Sequence, residues 1–291
     1  MKVETHPRPD PTPAKPKFTL PEGAVDCHFH LFGPASKYRF VGDSPYHADD
    51  ALIEDYIHLQ DHLGLARAVF VNAGGYGRNP QLLLDTLAAY PKRFRGVIVP
   101  ADDLSAEQIE PMHHLGVRGV RFMSKGRGSH VAPLLPEVAA RIAEFGWHVQ
   151  FYPFGTDIVD YAPELLKLKN PVILDHFAAV PASEGTNSPA FRKVLELLDT
   201  GRFWVKLSGP MRCTSENPPY PSMTAFARVL VAHAPERLVW GSDWPHANMT
   251  LDKKMPNDGE LVDCLLDWVP DEGTRKLILV DNPWSFYGFE A

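Results

Sequence analysis

Eight short β-rich apolar runs alternate with longer segments of helical period, and this alternation constrains the fold more than any motif does. The runs are 24–29, 67–72, 95–100, 118–122, 147–152, 171–176, 203–208 and 237–242. Segments 49–64, 79–93, 103–116, 133–146, 156–169, 188–201 and 221–235 carry the helical period. Several open on Asp, Asn, Thr or Ser and close on Gly, the asymmetry of helix caps. A β-then-α order repeated eight times specifies an α/β chain folded as a single (β/α)8 TIM barrel. The rival, an open doubly wound sheet, usually carries a Gly-rich phosphate loop after its first strand; here that strand runs into DCHFH. Residues 257–289 read as a helical pair closing the ring, with Asp281-Asn282-Pro283 ending the last helix. The Pro-rich residues 1–20 read as an extended arm, and residues 21–291 as the barrel domain.

Composition narrows the partners. With 44% hydrophobic and 22% charged residues, the chain has the make-up of a soluble globular protein with a large core. A formal net charge of −7 argues against general affinity for nucleic acid or anionic membrane. No apolar run reaches the roughly 18 residues of a membrane span. Three scattered cysteines, Cys27, Cys213 and Cys264, make no disulfide framework and point to a reducing, cytoplasmic compartment. The sequence leaves a homo-oligomer open.

Chemistry in such barrels gathers at the C-terminal ends of the strands. Strand one offers His28 and His30, strand two Asn72 and Gly74, strand four Arg121, and strand five Tyr152. Strand six offers Asp175 and His176, strand seven Ser208 and Arg212, and strand eight Ser242 and Asp243, then His246 and Asn248. Three histidines and a carboxylate thus converge on one mouth, and no packing argument calls for that. In 25-VDCHFHLFGP-34, alternation places Asp26 on one face with His28 and His30, as a residue orienting a histidine. Arg121, Lys125, Arg127 and Arg212 follow strand ends on the same rim and suit an anionic substrate. The loop 207–221, rich in Pro and Gly, reads as a substrate lid, and His246 as either a functional group or a brace of its loop.

Together DCHFHLFGP, RGVRF, VILDH, VKLSGPMR, WGSDWPHANM and DNPWSFYGF resemble the barrel lactonases of the amidohydrolase superfamily, from about Pro21 to Phe289. The likeness is strongest to the branch that opens pyrone dicarboxylates. It implies a lactonase that reversibly hydrolyses the cyclic ester of a carboxylated lactone from aromatic breakdown, pyrone-like or muconolactone-like. His28, His30 and His176 would polarise the carbonyl. Asp243 would take a proton from water and return it to the leaving oxygen. Arg121, Arg127, Tyr152 and Arg212 would hold carboxylates, with Asn248 and Gly74 lining the pocket. The chain departs from the family where 177-FAAVPAS-183 lacks an arginine and where Gly74 replaces a small polar residue.

Lactone opening needs a base, an oxyanion stabiliser and a positioned water. Asp243 beside Trp244 and Pro245 reads as a poorly solvated carboxylate with a raised pKa. No cofactor is expected; if a divalent ion such as zinc binds, His28, His30, His176 and Asp243 are its ligands. A lysine or glutamate that bridges two metals is missing from strands four and five, where Arg121 and Tyr152 stand. The competing readings are a zinc-dependent decarboxylase and a sugar-acid lactone isomerase.

Overall fold

The computed structural model describes residues 5–6, 8–42, 44, 47–124, 134–249 and 254–290. Its eight parallel strands are β1 (Val25–Phe29), β2 (Arg67–Val71), β3 (Phe94–Ile98), β4 (Val117–Met123), β5 (His148–Tyr152), β6 (Val172–Leu174), β7 (Phe203–Ser208) and β8 (Leu238–Gly241). They pair in chain order from β1 to β8. Helices α1 (Ile53–Leu63), α2 (Gln81–Ala89), α3 (Ala106–Leu115), α4 (Leu135–Ala143), α5 (Ile158–Leu166), α6 (Pro189–Asp199), α7 (Pro221–His233) and α8 (Asp258–Trp268) follow the strands in turn. This is the (β/α)8 barrel expected from the alternation. Two caps fall where the sequence put them: Ser188 Oγ accepts from the Phe191 N–H at 3.3 Å, and α1 ends at Gly64 in the left-handed region. Helices α1 and α3 instead start from Leu52 and Ser105, past the expected Asp49 and Asp103.

The ring closes at the top of β1 and β8. The Asp243 N–H donates to the His28 carbonyl at 2.8 Å, and the His30 N–H to the Trp244 carbonyl at 2.7 Å. Asp26 staples the same seam. Its carboxylate accepts from the His28 N–H (3.0 Å), the Ser242 N–H (2.9 Å), the Ser242 hydroxyl (2.6 Å) and the Tyr56 hydroxyl (2.9 Å). Gly241 is what lets the strands meet, because a Cβ there would stand 2.8 Å from His28 Cβ.

Strict alternation fails in β1. The register against β2 slips between Asp26 and Phe29, a bulge that inserts one residue. Asp26 therefore points outward with Phe29, toward Tyr56 of α1, whose ring stacks on Phe29 at 3.6 Å. His28 turns into the lumen. The expectation that Asp26 shares a face with the histidines and orients one is corrected: it holds the His28 backbone and binds no ring.

Two apolar clusters divide the core. The larger lies between strands and helices. The smaller fills the lower lumen: Val25, Cys27, Val69, Ile173, Trp204 and Val239 pack with Tyr287 and Phe289. Those last two come from the C-terminal segment, where α9 (Glu272–Lys276) runs through a π-helical turn into α10 (Asn282–Tyr287). Pro283 thus sits within a continuous helical run, just past the π-helical turn, and the reading that it ends the last helix is corrected. Arg95 donates to the Gly288 carbonyl at 3.0 Å and lies over the Phe289 ring. The arm crosses α8, with the Ala14 N–H on Asn257 Oδ1 at 2.8 Å and the Lys17 N–H on Asp263 Oδ1 at 2.7 Å. Among the described residues, no helix is long and apolar enough to cross a membrane.

Replacing Asp26 by Ala strands four buried donors, so urea melts of D26A should show a loss of about 2–4 kcal/mol. Asp26→Asn keeps the acceptor oxygen and should lose less.

Candidate active site

The upper lumen collects the polar residues that the lower lumen excludes. His28, His30, His176 and Asp243 are all buried there. Asp243 Oδ1 lies 3.8 Å from His28 Nε2, 3.6 Å from His30 Nε2 and 3.8 Å from His176 Nε2. The loops that deliver these groups are strained. His176, Phe177, Ala178 and Ala179 all take positive φ, as does Asp243 at 66°. A left-handed non-glycine residue costs roughly 1–2 kcal/mol, and such outliers cluster at functional sites. Gly209 makes room for the second histidine, since a Cβ there would meet His176 Nδ1 at 2.6 Å.

The imidazoles are neutral and not interchangeable. Burial is the main cause that lowers each pKa: His28 well below its ordinary value, His30 below it, and His176 to about 4. His30 Nδ1 sits 2.7 Å from the Val71 carbonyl, which can only accept. Nδ1 therefore carries the proton and Nε2 is a bare acceptor. Of the three imidazoles expected to polarise the carbonyl, His30 is therefore the one whose Nε2 accepts and does not donate in this state. His176 Nδ1 is 2.9 Å from Ser208 Oγ, and a hydroxyl donating there leaves Nε2–H facing the site.

Asp243 is also not as expected. Burial alone would raise its pKa, but the Arg212 guanidinium holds it well below the ordinary carboxylate range. Arg212 Nη2 and Nε meet Oδ2 at 2.8 and 3.0 Å, and Nη2 also donates to the Ala247 carbonyl at 2.6 Å. The expected raised pKa is therefore overturned. One oxygen of Asp243 is neutralised and the other faces the histidines.

Beneath them lies a charged layer in which the sequence reading named Asp175 and Arg121 and passed over Lys206 and Gln150. Lys206 and Gln150, inward residues of β7 and β5, and Asp175 are completely buried. Lys206 Nζ lies 2.7 Å from Gln150 Oε1, 3.3 Å from His28 Nδ1 and 3.4 Å from Asp175 Oδ1. Asp175 Oδ2 accepts from Arg121 Nε at 3.0 Å and Gln150 Nε2 at 2.9 Å. A lysine at an inward position of 203-FWVKLS-208 was the available signal.

The remaining expected residues fall as follows. Arg121 is buried at the mouth with its guanidinium 5.4 Å from the Tyr152 ring centre. Tyr152 stands edge-on to His176 at 5.0 Å, and burial raises its pKa to about 12. Gly74 opens a 3-10 turn, and a Cβ there would touch nothing. Asn248 is exposed; its backbone carbonyl receives Arg212 Nη1 at 3.4 Å. Lys125 and Arg127 lie outside the described residues. The 207–221 loop carries Arg212 to Asp243, with the Cys213 thiol donating to the His176 carbonyl at 3.2 Å. His246 braces α8 through Asp258 Oδ1 at 3.2 Å.

Two groups have ligand-like spacing, His28–His30–Asp243 and His28–Asp175–His176. The first approaches the edge of a zinc tetrahedron, about 3.3 Å for bonds of about 2.0 Å. Charge opposes an ion. Arg121, Lys206 and Arg212 form ion pairs with Asp175 and Asp243. Within this group of five side chains the positive charges outnumber the negative by one before a dication enters, in a lumen where burial strengthens repulsion. The donors fit the ion in distance and not in charge.

Residues 25–289 match the family described as "Amidohydrolase". A 4-sulfomuconolactone hydrolase of Hydrogenophaga intermedia is 35% identical over 275 residues, 94% of this chain and 91% of that protein. A protein of Comamonas testosteroni named as a 2-pyrone-4,6-dicarboxylate hydrolase is 35% identical over 286 residues, covering 94% and 93%. An apo crystal structure from Agrobacterium tumefaciens superposes with a TM-score of 0.84 at 28% identity, covering 94% of this chain and 99% of that one.

The buried imidazoles set a pH signature. Each has a folded pKa below the ordinary 6.5, and His148 falls to about 3. As pH drops below about 6.5, the unfolded chain takes up protons that the folded chain refuses, so stability is lost. Asp26, raised to about 6 by burial, acts in the opposite direction but is one group against four. Calorimetry should find a Tm lower at pH 5 than at pH 7, by on the order of 5–10 °C.

Proposed function

We propose that this chain, which belongs to the amidohydrolase family, is a lactonase that hydrolyses the ring ester of a small carboxylated lactone without a metal ion. One observation carries the reading: a buried, ionised Asp243 turns one free oxygen toward three neutral imidazole nitrogens at 3.6–3.8 Å. That gap exceeds a direct hydrogen bond and suits a bridging water. The names of the relatives from Hydrogenophaga and Comamonas, lactone hydrolases for small anionic rings, support the same class.

In this reading Asp243 Oδ1 accepts a proton as the water oxygen bonds to the carbonyl carbon. His30 Nε2, a bare acceptor, takes the water's other hydrogen in a hydrogen bond and aims its lone pair. Nε2–H of His176 and of His28 face the carbonyl oxygen and stabilise the oxyanion, a contribution commonly worth about 3 kcal/mol per donor. The intermediate collapses as the ring C–O bond breaks, and the proton held by Asp243 passes to the leaving oxygen. Arg121 and Tyr152 at the mouth receive substrate carboxylates.

Arg212 has two duties. While it holds Asp243 Oδ2 the carboxylate is a weak base. A substrate carboxylate that shares the guanidinium loosens that hold and raises the basicity of Asp243 when substrate is in place. The surplus positive charge among Arg121, Lys206, Arg212, Asp175 and Asp243 favours such an anion as it disfavours a dication.

Incubation with pyrone and muconolactone carboxylates, followed by ultraviolet absorbance, tests the reading. Ring opening should survive exhaustive chelation; activity that disappears with chelator and returns with zinc would fit a decarboxylase instead. Product that is still cyclic would mark an isomerase. Asp243→Asn should lower turnover by about 10³-fold or more while binding of a dicarboxylate, measured calorimetrically, persists.

A further inference from the structure

We propose that Lys206 is a positioning residue: its ammonium group donates to His28 Nδ1 and so fixes His28 as the tautomer whose Nε2–H points at the substrate carbonyl. The argument is a count of protons. An ammonium group donates through its N–H bonds, and Nζ has two hydrogen-bond acceptors, Gln150 Oε1 at 2.7 Å and His28 Nδ1 at 3.3 Å, with Asp175 Oδ1 at ion-pair distance, 3.4 Å, making no hydrogen bond. The amide of Gln150 is oriented independently, because its Nε2 donates to Asp175 Oδ2 at 2.9 Å, which leaves Oε1 facing the lysine.

The opposite tautomer breaks this count. If His28 Nδ1 kept the proton and gave it to Asp175 Oδ1, 3.3 Å away, that oxygen would gain a donor, but the fully buried ammonium would lose one of its two hydrogen-bond acceptors. His28 Nε2 and His30 Nε2, 3.2 Å apart, would then oppose two lone pairs, since His30 is protonated on the Val71 side. With the proton on His28 Nε2, the free site keeps a hydrogen bond between the two rings. An arriving carbonyl oxygen can then replace His30 as the acceptor, and His30 Nε2 is left for the water. Asp175 Oδ1 lies at ion-pair distance from Nζ, 3.4 Å, and an opposite charge so close favours the ammonium form under the ring.

The tautomer does not depend on which ester is cleaved; only its catalytic use rests on the lactonase reading. Protein labelled with ¹⁵N at histidine separates the two. The His28 signals, assigned by their loss in His28→Gln, should show a protonated Nε2 and a bare Nδ1 in the native protein. The reverse assignment overturns the proposal whatever the substrate. In Lys206→Met the proton should move to Nδ1, and kcat should fall about 10²-fold or more with KM changed less than about threefold. Unchanged turnover, or an unmoved tautomer in a folded Lys206→Met, also overturns it. If that variant does not fold, the native spectrum still decides.

Discussion

Two backbone hydrogen bonds join the first strand to the last, and the site exists because of them. Asp243 and His28 belong to segments more than two hundred positions apart, yet the amide of one donates to the carbonyl of the other. This fixes the spacing of acid and imidazoles by main-chain geometry, which tolerates less drift than side-chain contacts alone. The Asp26 carboxylate locks the seam from outside the ring. The bulge in β1 makes both arrangements compatible, sending the carboxylate outward and the next imidazole inward. The close approach at Gly241 completes the joint.

Inside the ring, the governing constraint is that buried charge must be compensated. Each carboxylate is met by a guanidinium: Asp175 by Arg121 and Asp243 by Arg212. Lys206 is the surplus cation, hydrogen-bonded to Gln150 and His28 and at ion-pair distance from Asp175. Within this group an anion relieves the surplus charge and a dication increases it. The polar contacts also fix directions, so that chemically similar histidines have different jobs. His30 is turned into an acceptor by a backbone carbonyl, and His176 is set by a serine hydroxyl.

The architecture was legible in the sequence because a β-then-α alternation is a pattern of long segments, and burial enforces it at every repeat. The convergence of His28, His30, His176 and Asp243 followed from the same pattern, since strand ends in such a barrel share one rim. What sequence could not convey was local geometry. The bulge between Asp26 and Phe29 depends on tertiary pairing, so strict alternation assigned Asp26 to the wrong face. The Arg212 contact depends on how a loop folds back, and without it the surroundings of Asp243 looked apolar, giving the wrong sign for its pKa. Lys206 was in plain view in 203-FWVKLS-208, but lysines are usually exposed, and only the ring places its side chain in the lumen.

The aromatic C-terminal segment seals the lower end of the barrel with Tyr287 and Phe289 against Trp204. Among the described residues, that end of the lumen is filled by side chains, and the acid and imidazoles stand at the other. A spent acid, bearing one more negative charge than the ring it came from, must leave the guanidiniums before the next turnover can begin. The tighter those cations hold it, the slower it departs.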